Sequence, residues 1–152
     1  MNRIVIGTDG SLGAQGAVCE GLELARLLDA PVTIVSVRRP IPSFGDPQYQ
    51  RKVNVQLQQA YAALEAAVTE AERVGVKADT ESPWGDVVSQ ILRTARQRQA
   101  DLIVVGSGRG GTVLGPVSRA LVERSRTPVV LVNDRVDRQA HARRADALAR
   151  SA

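Results

Sequence analysis

The segment LIVVGSGRGGTVLGPVS, residues 102–118, decides how this chain is organised. Its four leading apolar residues are typical of a buried strand, and the glycine cluster at 106–111 is typical of a loop. Pro116 suits the first turn of a helix, because its φ is already helical and its missing N–H is not needed there. The segment therefore predicts a strand, a glycine-rich loop and a helix.

The same alternation of strand and helix extends over the chain. Apolar or β-branched runs predict four further strands: 3–9, 31–37, 76–81 and 128–132. Helical spacing of apolar residues predicts the other helices: 12–28, the stripe from 53 to 71 that ends at Gly75, and the segment after Asp86. Five strands alternating with four helices predict an α/β fold, a single open, doubly wound, parallel five-stranded sheet with helices on both faces.

Composition favours a cytoplasmic protein with a packed core. Apolar residues make up 43% of the 152 residues, which is too many for a disordered chain. No apolar run approaches the ~20 residues that span a bilayer, and the N-terminus does not resemble a secretory signal. Cys19 is the single cysteine, which excludes an intramolecular disulfide and fits a reducing compartment.

The net charge of +4 is not concentrated on one face of the domain. Residues 134–152 hold five Arg and three Asp, and the four aromatic residues are scattered, so no platform for stacked bases is predicted. We therefore expect no nucleic-acid partner and no membrane partner. The domain is predicted to span 1–133, followed by a charged, Ala- and Arg-rich extension, 134–152, that is solvated or alternatively forms a partner-binding helix.

A ligand site is predicted where the first and fourth strands end. In open parallel sheets, ligands bind outside the carboxyl ends of the strands, where the strand order reverses. Segments 7–11 and 106–118 follow these two strands, and glycine backbone N–H groups can approach phosphate oxygens closely. Arg109 could pair with a phosphate, and Asp9 could accept from a ribose hydroxyl or an adenine amino group. The alternative is an ordinary loop whose glycines only make turns.

These segments resemble the universal stress protein family. Residues 5–11 are similar to the end of that family's first strand. Residues 104–107, 108–111 and 114–118 look like parts of its glycine signature, and 127–132 resembles its last strand. The resemblance covers residues 3–133 and implies a strand order of 3-2-1-4-5 and, in many members, bound ATP.

The resemblance also implies which residues do what. Asp9 and the backbone of Val37 would hold adenosine, and the signature glycines with the residue after the last of them would hold the phosphates. The implied nucleotide site comprises Gly7, Asp9, Val37, Gly106, Gly108, Arg109, Gly110, Gly115, Pro116, Val117 and Ser118. Homodimers would join through strand 5, at Val129, Val130, Leu131 and Val132. Whether Mg²⁺ accompanies the ATP stays open.

Two departures from the family pattern predict that ATP binds weakly. Gly106 and Gly115 are nine positions apart, about four residues or roughly one helical turn fewer than the family pattern has. Pro116 replaces a hydroxyl residue and offers neither a hydroxyl nor an N–H to phosphate. The predicted function is that of a stress-response regulatory protein that binds ATP, not of an enzyme.

Two alternatives remain open. The first is a dimeric interaction protein of the same fold that binds no nucleotide. The second is a dinucleotide-binding enzyme, because Gly106, Gly108 and Gly111 form a literal G-x-G-x-x-G with Asp134 further on. Neither catalytic nor metal-binding residues are predicted, because His141, the one histidine, lies in the extension.

Overall fold

The computed structural model of the protein describes residues 1–108, 114–133, 143 and 146–151. Arg109 and Gly110 of the predicted site lie outside the described residues, as do Gly111 and Asp134 of the dinucleotide alternative and His141. The elements, in chain order, are β1 (Ile4–Gly7), α1 (Leu12–Leu28), β2 (Val32–Val35), α2 (Tyr49–Val74), β3 (Ala78–Glu81), α3 (Val87–Gln97), β4 (Leu102–Gly106), α4 (Pro116–Arg124) and β5 (Val129–Val132).

The five strands form one parallel sheet in the order β3-β2-β1-β4-β5. The predicted fold class and the strand order implied by the resemblance are both confirmed. β1 lies at the centre, with Ile4 opposite Val32 of β2 on one side and Leu102 of β4 on the other. The order reverses between β1 and β4, so their carboxyl ends form the crevice in which such sheets bind ligands.

Successive side chains of each strand point to opposite faces, and each face has its own core. Ile4, Ile6 and Ile34 lie on the face covered by α1 and α2. Val5 and Ile103 lie on the opposite face, covered by α3 and α4. All five are fully buried, and each such burial contributes about 1.5–3 kcal/mol relative to an exposed side chain.

The predicted helix ends are confirmed by hydrogen bonds and backbone angles. Ser11 caps α1, its Oγ accepting from the N–H of Ala14, and Asp86 caps α3 through the N–H of Ser89. Gly75 ends α2 with a φ of 76°, a left-handed conformation that glycine adopts without strain. α4 begins at Pro116, as expected for a proline in the first turn of a helix.

Glycine lets α1 lie very close to the sheet. A Cβ added at Gly21 would lie 2.6 Å from Cδ1 and 2.9 Å from Cγ1 of Ile6, and 3.4 Å from Cβ of Val104. Any larger residue at position 21 would push the helix away from the sheet. This close packing holds the first turn of α1 beside the ends of β1 and β4.

The two edge strands differ in polarity. β3 carries Asp79 and Glu81, and both pair with Arg98 of α3, while Asp79 also pairs with Arg3. The hydrogen bond to Glu81, with smaller contributions from Asp79, raises the pKa of the Arg98 guanidinium. Charges on an edge strand discourage pairing with another strand, whereas β5 at the other edge is entirely apolar.

Among the described residues, no helix is both long enough and apolar enough to cross a bilayer.

Candidate functional site

The turn after β1 is held in place by its neighbours. The N–H of Thr8 donates to the carbonyl oxygen of Val35, 2.9 Å away, which continues the pairing with β2 by one residue. Gly10 then turns the chain with a φ of 80°, and a Cβ there would lie 3.2 Å from Cβ of Ala63 in α2. The turn therefore places the residue between them, Asp9, at the carboxyl edge of the sheet.

Asp9 is exposed and its carboxylate is oriented by the backbone. Its Oδ1 accepts from the N–H of Ser11 at 2.9 Å, as in an Asx turn. Within the described part of the chain, no hydrogen bond engages Oδ2. A carboxylate oriented in this way can accept a hydrogen bond from a ligand hydroxyl or amino group.

Val37 follows β2 at the same edge of the sheet. On either side of it, the N–H groups of Ser36 and Arg38 donate to Glu81 and Pro83, on the β3 side. Because backbone groups alternate along an extended strand, the N–H and C=O of Val37 face the β1 side. β1 has already turned away there, and no hydrogen bond between described residues engages either group. Val37 thus offers one donor and one acceptor beside Asp9.

Gly7 and Gly106 are the last residues of β1 and β4. A Cβ at Gly7 would lie 3.0 Å from Val105 Cγ1 and 3.2 Å from Ile91 Cδ1, so helix packing explains this glycine without a ligand. A Cβ at Gly106 would lie 3.2 Å from the carbonyl oxygen of Gly13, at the start of α1. The structure therefore brings the start of α1 against the end of β4.

The two ends of the loop after β4 touch each other. Gly108 has a φ of 95°, and a Cβ there would lie 2.9 Å from both the Cα and the N of Gly115. The N–H of Gly115 donates to the carbonyl oxygen of Ser107 at 3.0 Å. This contact closes the loop at its base, on both sides of the undescribed residues 109–113.

The first turn of α4 follows directly. Gly115 is its N-cap residue and gives no side-chain hydrogen bond. Pro116 has no N–H, while those of Val117 and Ser118 have no partner inside the helix. These two N–H groups lie at the positive end of the helix dipole and point toward the crevice. An anion is therefore favoured there.

Two hydroxyls at this site have different surroundings. Ser118 is buried, and its Oγ donates to the carbonyl oxygen of Gly106 at 2.7 Å. The Oγ of Ser107 is buried without a hydrogen-bond partner among the described residues. Ser107 was not predicted as a site residue. Its only sequence signal is its place directly after the strand and beside Gly106.

Aromatic and metal-binding groups contribute little at this edge. Trp84, after β3, is half exposed and packs against the guanidinium of Arg38, which lies 5.6 Å from the ring centre. Arg38 is itself held by two hydrogen bonds to the carbonyl oxygen of Ser82. In the described ranges, no group of three or more His, Cys, Asp and Glu side chains could hold a metal ion.

Residues 1–133 match the family model described as the universal stress protein family. The chain belongs to this family.

Similar proteins with universal stress protein names support this assignment. The chain is 31% identical over 137 residues to a universal stress protein of Methanocaldococcus jannaschii, covering 86% of this chain and 81% of the relative. It is 33% identical over 147 residues to a universal stress protein of Mycobacterium tuberculosis strain H37Rv. That match covers 92% of this chain but 51% of the mycobacterial protein, so this chain spans about half of that relative's length.

A solved structure shows the same fold. A universal stress protein crystallised in complex with cAMP superimposes with a TM-score of 0.69 at 27% sequence identity. The match covers 88% of this chain and 97% of that chain. This universal stress protein therefore shares the fold of that protein over most of both chains.

The described groups at the crevice form two sets, one after β1 and β2 and one at the start of α4. Asp9 and the backbone of Val37 provide an acceptor and a donor–acceptor pair for an adenosine. On the phosphate side, the base of the loop is closed by Gly108 and Gly115. Among the described residues on that side, the N–H groups in the first turn of α4 and the unpartnered Ser107 hydroxyl are donors.

Proposed function

We propose that this universal stress protein is a regulatory protein that binds an adenine nucleotide in the crevice between β1, β2 and β4. The observation on which the proposal depends is the open N–H and C=O pair of Val37 beside the oriented carboxylate of Asp9. Adenine has an acceptor and a donor on its Watson–Crick edge, so the Val37 backbone can pair with it. Asp9 accepts from ribose, and α4 faces the phosphate.

The relative that was crystallised with cAMP supports this proposal, since it shares the fold at 27% identity over most of both chains. The nucleotide predicted from the sequence is ATP, bound weakly, and whether Mg²⁺ accompanies it stays part of the proposal. Binding, not turnover, is the proposed role. The geometry offers hydrogen-bond donors and acceptors for recognition, and we assign no nucleophile or general base.

The nucleotide would act by changing the loop after β4. An anion at the first turn of α4 would interact with the N–H groups of Val117 and Ser118 and with the loop that precedes them. This loop adjoins β5 through Ser107, whose N–H donates to the carbonyl oxygen of Val132. A nucleotide bound in the crevice would therefore affect the β5 edge, where we propose that a second copy of the chain pairs.

Calorimetry with a matched pair of variants tests the proposal. Asp9→Asn keeps the side-chain acceptor for the N–H of Ser11 but removes the charge. A hydrogen bond to a charged group contributes ~1.5–3 kcal/mol, so adenine nucleotide affinity should fall roughly 10- to 100-fold. Asp29→Asn is the control, because Asp29 ends α1 in a left-handed conformation that Asn tolerates. It should bind like the wild type.

Guanine nucleotides provide the control for base recognition and should bind more weakly than their adenine counterparts. If AMP, cAMP, ADP and ATP all fail to bind the wild type at millimolar concentration, the proposal is wrong. The alternative of a dimeric interaction protein without a nucleotide is then favoured.

The dinucleotide-enzyme alternative has less structural support. In that motif the third glycine opens the helix that follows the strand. Here α4 begins at Pro116, five residues after Gly111, and family membership covers residues 1–133.

A further inference from the structure

A groove separate from the nucleotide crevice lies between α2 and the edge strand β3. Its volume is about 640 Å³, within the range of protein pockets that bind ligands. One wall is a row of α2 side chains at helical spacing, and the other belongs to β3. The lining includes Tyr61, Leu64, Glu65, Val68, Glu72 and Thr80. The groove runs beside the outer edge of the sheet, whereas the crevice lies at the ends of its strands.

The outer edge of β3 presents backbone groups to this groove. The carbonyl oxygens of Lys77 and Glu81 accept hydrogen bonds from β2 and the residue after it, so they face that strand. By alternation, the N–H and C=O of Thr80 face the other way. β3 is the last strand of the described sheet on this side. Such an edge is a template to which an extended peptide can add.

The two faces of β3 have different side-chain partners. Asp79 and Glu81 point to the α3 side, where Arg98 pairs with both. Thr80, between them, points to the opposite side and lines the groove. A peptide strand paired with β3 would likewise point every second side chain into the groove.

The groove is acidic where it meets α2. Among the described residues that line it, Glu65 and Glu72 are acidic and none is basic. Both glutamates are exposed, and their separation of seven positions on one helix corresponds to about 10 Å along its axis. Leu64 and Val68 beside them add apolar surface. Alternate side chains of a strand are about 7 Å apart, so the flexible side chains of Lys or Arg at such positions reach both carboxylates.

We propose that this groove is a docking site for an extended basic segment of a partner protein. The segment adds to the outer edge of β3 and points Lys or Arg side chains toward Glu65 and Glu72. The whole chain carries a net charge of +4, which repels a cationic peptide, so the attraction is local to the groove. The proposal does not depend on nucleotide binding.

Fluorescence anisotropy of labelled synthetic peptides with the full chain tests the site. The probe is the octapeptide KVKVKVKV, which alternates Lys and Val. KKVVKKVV has the same composition and charge without the alternation, and EVEVEVEV has the opposite charge. KVKVKVKV should bind roughly 10-fold or more tightly than either control peptide. Absence of binding at millimolar peptide, or equal binding of either control, would overturn the proposal.

Removal of the two carboxylates tests where the peptide binds. Glu65→Gln with Glu72→Gln should weaken KVKVKVKV binding roughly 3- to 30-fold, because two ion pairs with the peptide are lost. Glu123→Gln with Asp29→Asn is the matched control, since it removes two carboxylates from exposed positions outside the groove. This control should bind like the wild type. Equal affinities for the two double variants would overturn the assignment of the groove.

Thr80→Pro tests the main-chain pairing. It removes the outward N–H, and proline is tolerated at such a position of an edge strand. Peptide affinity should fall roughly 10-fold, whereas Leu131→Pro, on the opposite edge strand, should bind like the wild type. Unchanged affinity in a folded Thr80→Pro variant would overturn the strand pairing. If that variant does not fold, the double glutamine variant, which changes no backbone group, decides the proposal.

Two other occupants of the groove would each overturn the assignment to a partner protein. Deletion of residues 134–152 that raises KVKVKVKV affinity more than about threefold would assign the groove to the Arg-rich extension of this chain. A fall in molar mass on addition of the peptide, measured by light scattering, would assign the groove to a second copy. The proposal requires that both the affinity and the molar mass stay unchanged.

Discussion

The hydroxyl of Ser118 donates a hydrogen bond to the carbonyl oxygen of Gly106, and the two oxygens lie 2.7 Å apart. This bond joins the first turn of α4 to the last residue of β4 across a twelve-residue separation in the chain. Because Ser118 is buried, its hydroxyl cannot turn to water instead. A residue that the sequence suggested for phosphate binding therefore has a structural contact of its own.

Ser118→Ala should lower stability by about 1 kcal/mol, because it removes the hydroxyl from which the carbonyl oxygen of Gly106 accepts a hydrogen bond. Urea unfolding of the variant and the wild type measures the difference. Ser43→Ala changes an exposed serine and should leave the midpoint where it is. Equal midpoints for all three proteins would show that the hydrogen bond contributes nothing.

Gly21→Ala and Gly16→Ala should change stability in opposite directions, although both glycines lie in α1. Alanine is favoured over glycine inside a helix by about 1 kcal/mol, and at Gly16 its Cβ would only touch Val132 at 4.0 Å. At Gly21 the Cβ would collide with Ile6, which is fully buried, so overpacking should cost about 1–3 kcal/mol. Thermal unfolding that ranks Gly21→Ala at or above Gly16→Ala would contradict the close packing.

We expect the protein to become less stable in acid, because Asp86, the N-cap residue of α3, is protonated there. Backbone and side-chain hydrogen bonds from Ser89 hold the pKa of Asp86 below its ordinary value of about 3.9. A lowered pKa in the folded state adds stability above the unfolded value, and that stability is lost as the pH falls through the folded value. Asp86→Asn keeps a capping oxygen without a titrating group. The melting temperature of the Asp86→Asn variant should therefore be below that of the wild type at pH 6. This difference in melting temperature should become smaller toward pH 3. A difference that stays constant would contradict the assignment.

We predict that the protein is a homodimer joined through β5. The carbonyl oxygens of Pro128 and Val132 face β4, where they accept from Ile103 and Ser107, so by alternation the backbone of Leu131 faces outward. Leu131→Pro removes that outward donor and should give a monomer near the chain mass of 16.2 kDa in light scattering.

Thr80→Pro is the matched variant on the opposite edge. The carbonyl oxygens of Lys77 and Glu81 face β2, so the backbone of Thr80 also faces outward, but from β3. The Thr80→Pro variant should therefore remain a dimer. A wild-type protein that is monomeric at micromolar concentration would refute the prediction. A monomeric Thr80→Pro variant would indicate that the interface does not lie at β5.

Deletion of residues 134–152 should leave the fold and the dimer intact, because the buried core ends at Val132. The pKa of the Arg73 guanidinium is raised mainly by its hydrogen bond to Glu70, with a smaller contribution from the charge of Asp146. Exposed charge pairs contribute little, so the melting temperature should change by only a few degrees. A large drop on truncation would mean that the extension packs against the domain.

Local rules account for the parts of the structure that were predicted correctly. Alternating apolar runs and helical stripes depend on neighbours a few residues away, so the strands, the helices and the ends at Ser11, Gly75 and Pro116 could be predicted without tertiary information. Four of the five predicted strands are longer than the observed ones, whereas β4 extends to Gly106, one residue beyond the predicted 102–105. β1, for example, ends at Gly7, although the apolar pattern was extended to Asp9.

The strand order and the site required more than local pattern. Resemblance to a family supplied the order β3-β2-β1-β4-β5, which periodicity alone leaves open. Resemblance also placed Asp9 and Val37 in one site. The structure shows that these two residues follow neighbouring strands, β1 and β2, and therefore lie at the same edge of the sheet.

The sequence by itself determined the α/β class, the position of the glycine loop and the absence of a donor at Pro116, because these follow from residue type and spacing. Only the tertiary structure decided how the donors of that loop are used. The N–H of Gly115 and the hydroxyl of Ser118 donate to the carbonyl oxygens of Ser107 and Gly106, while the hydroxyl of Ser107 has no partner among the residues that the structure describes. A hydrogen bond between residues many positions apart depends on where the folded chain places them, and spacing in the sequence does not specify that distance.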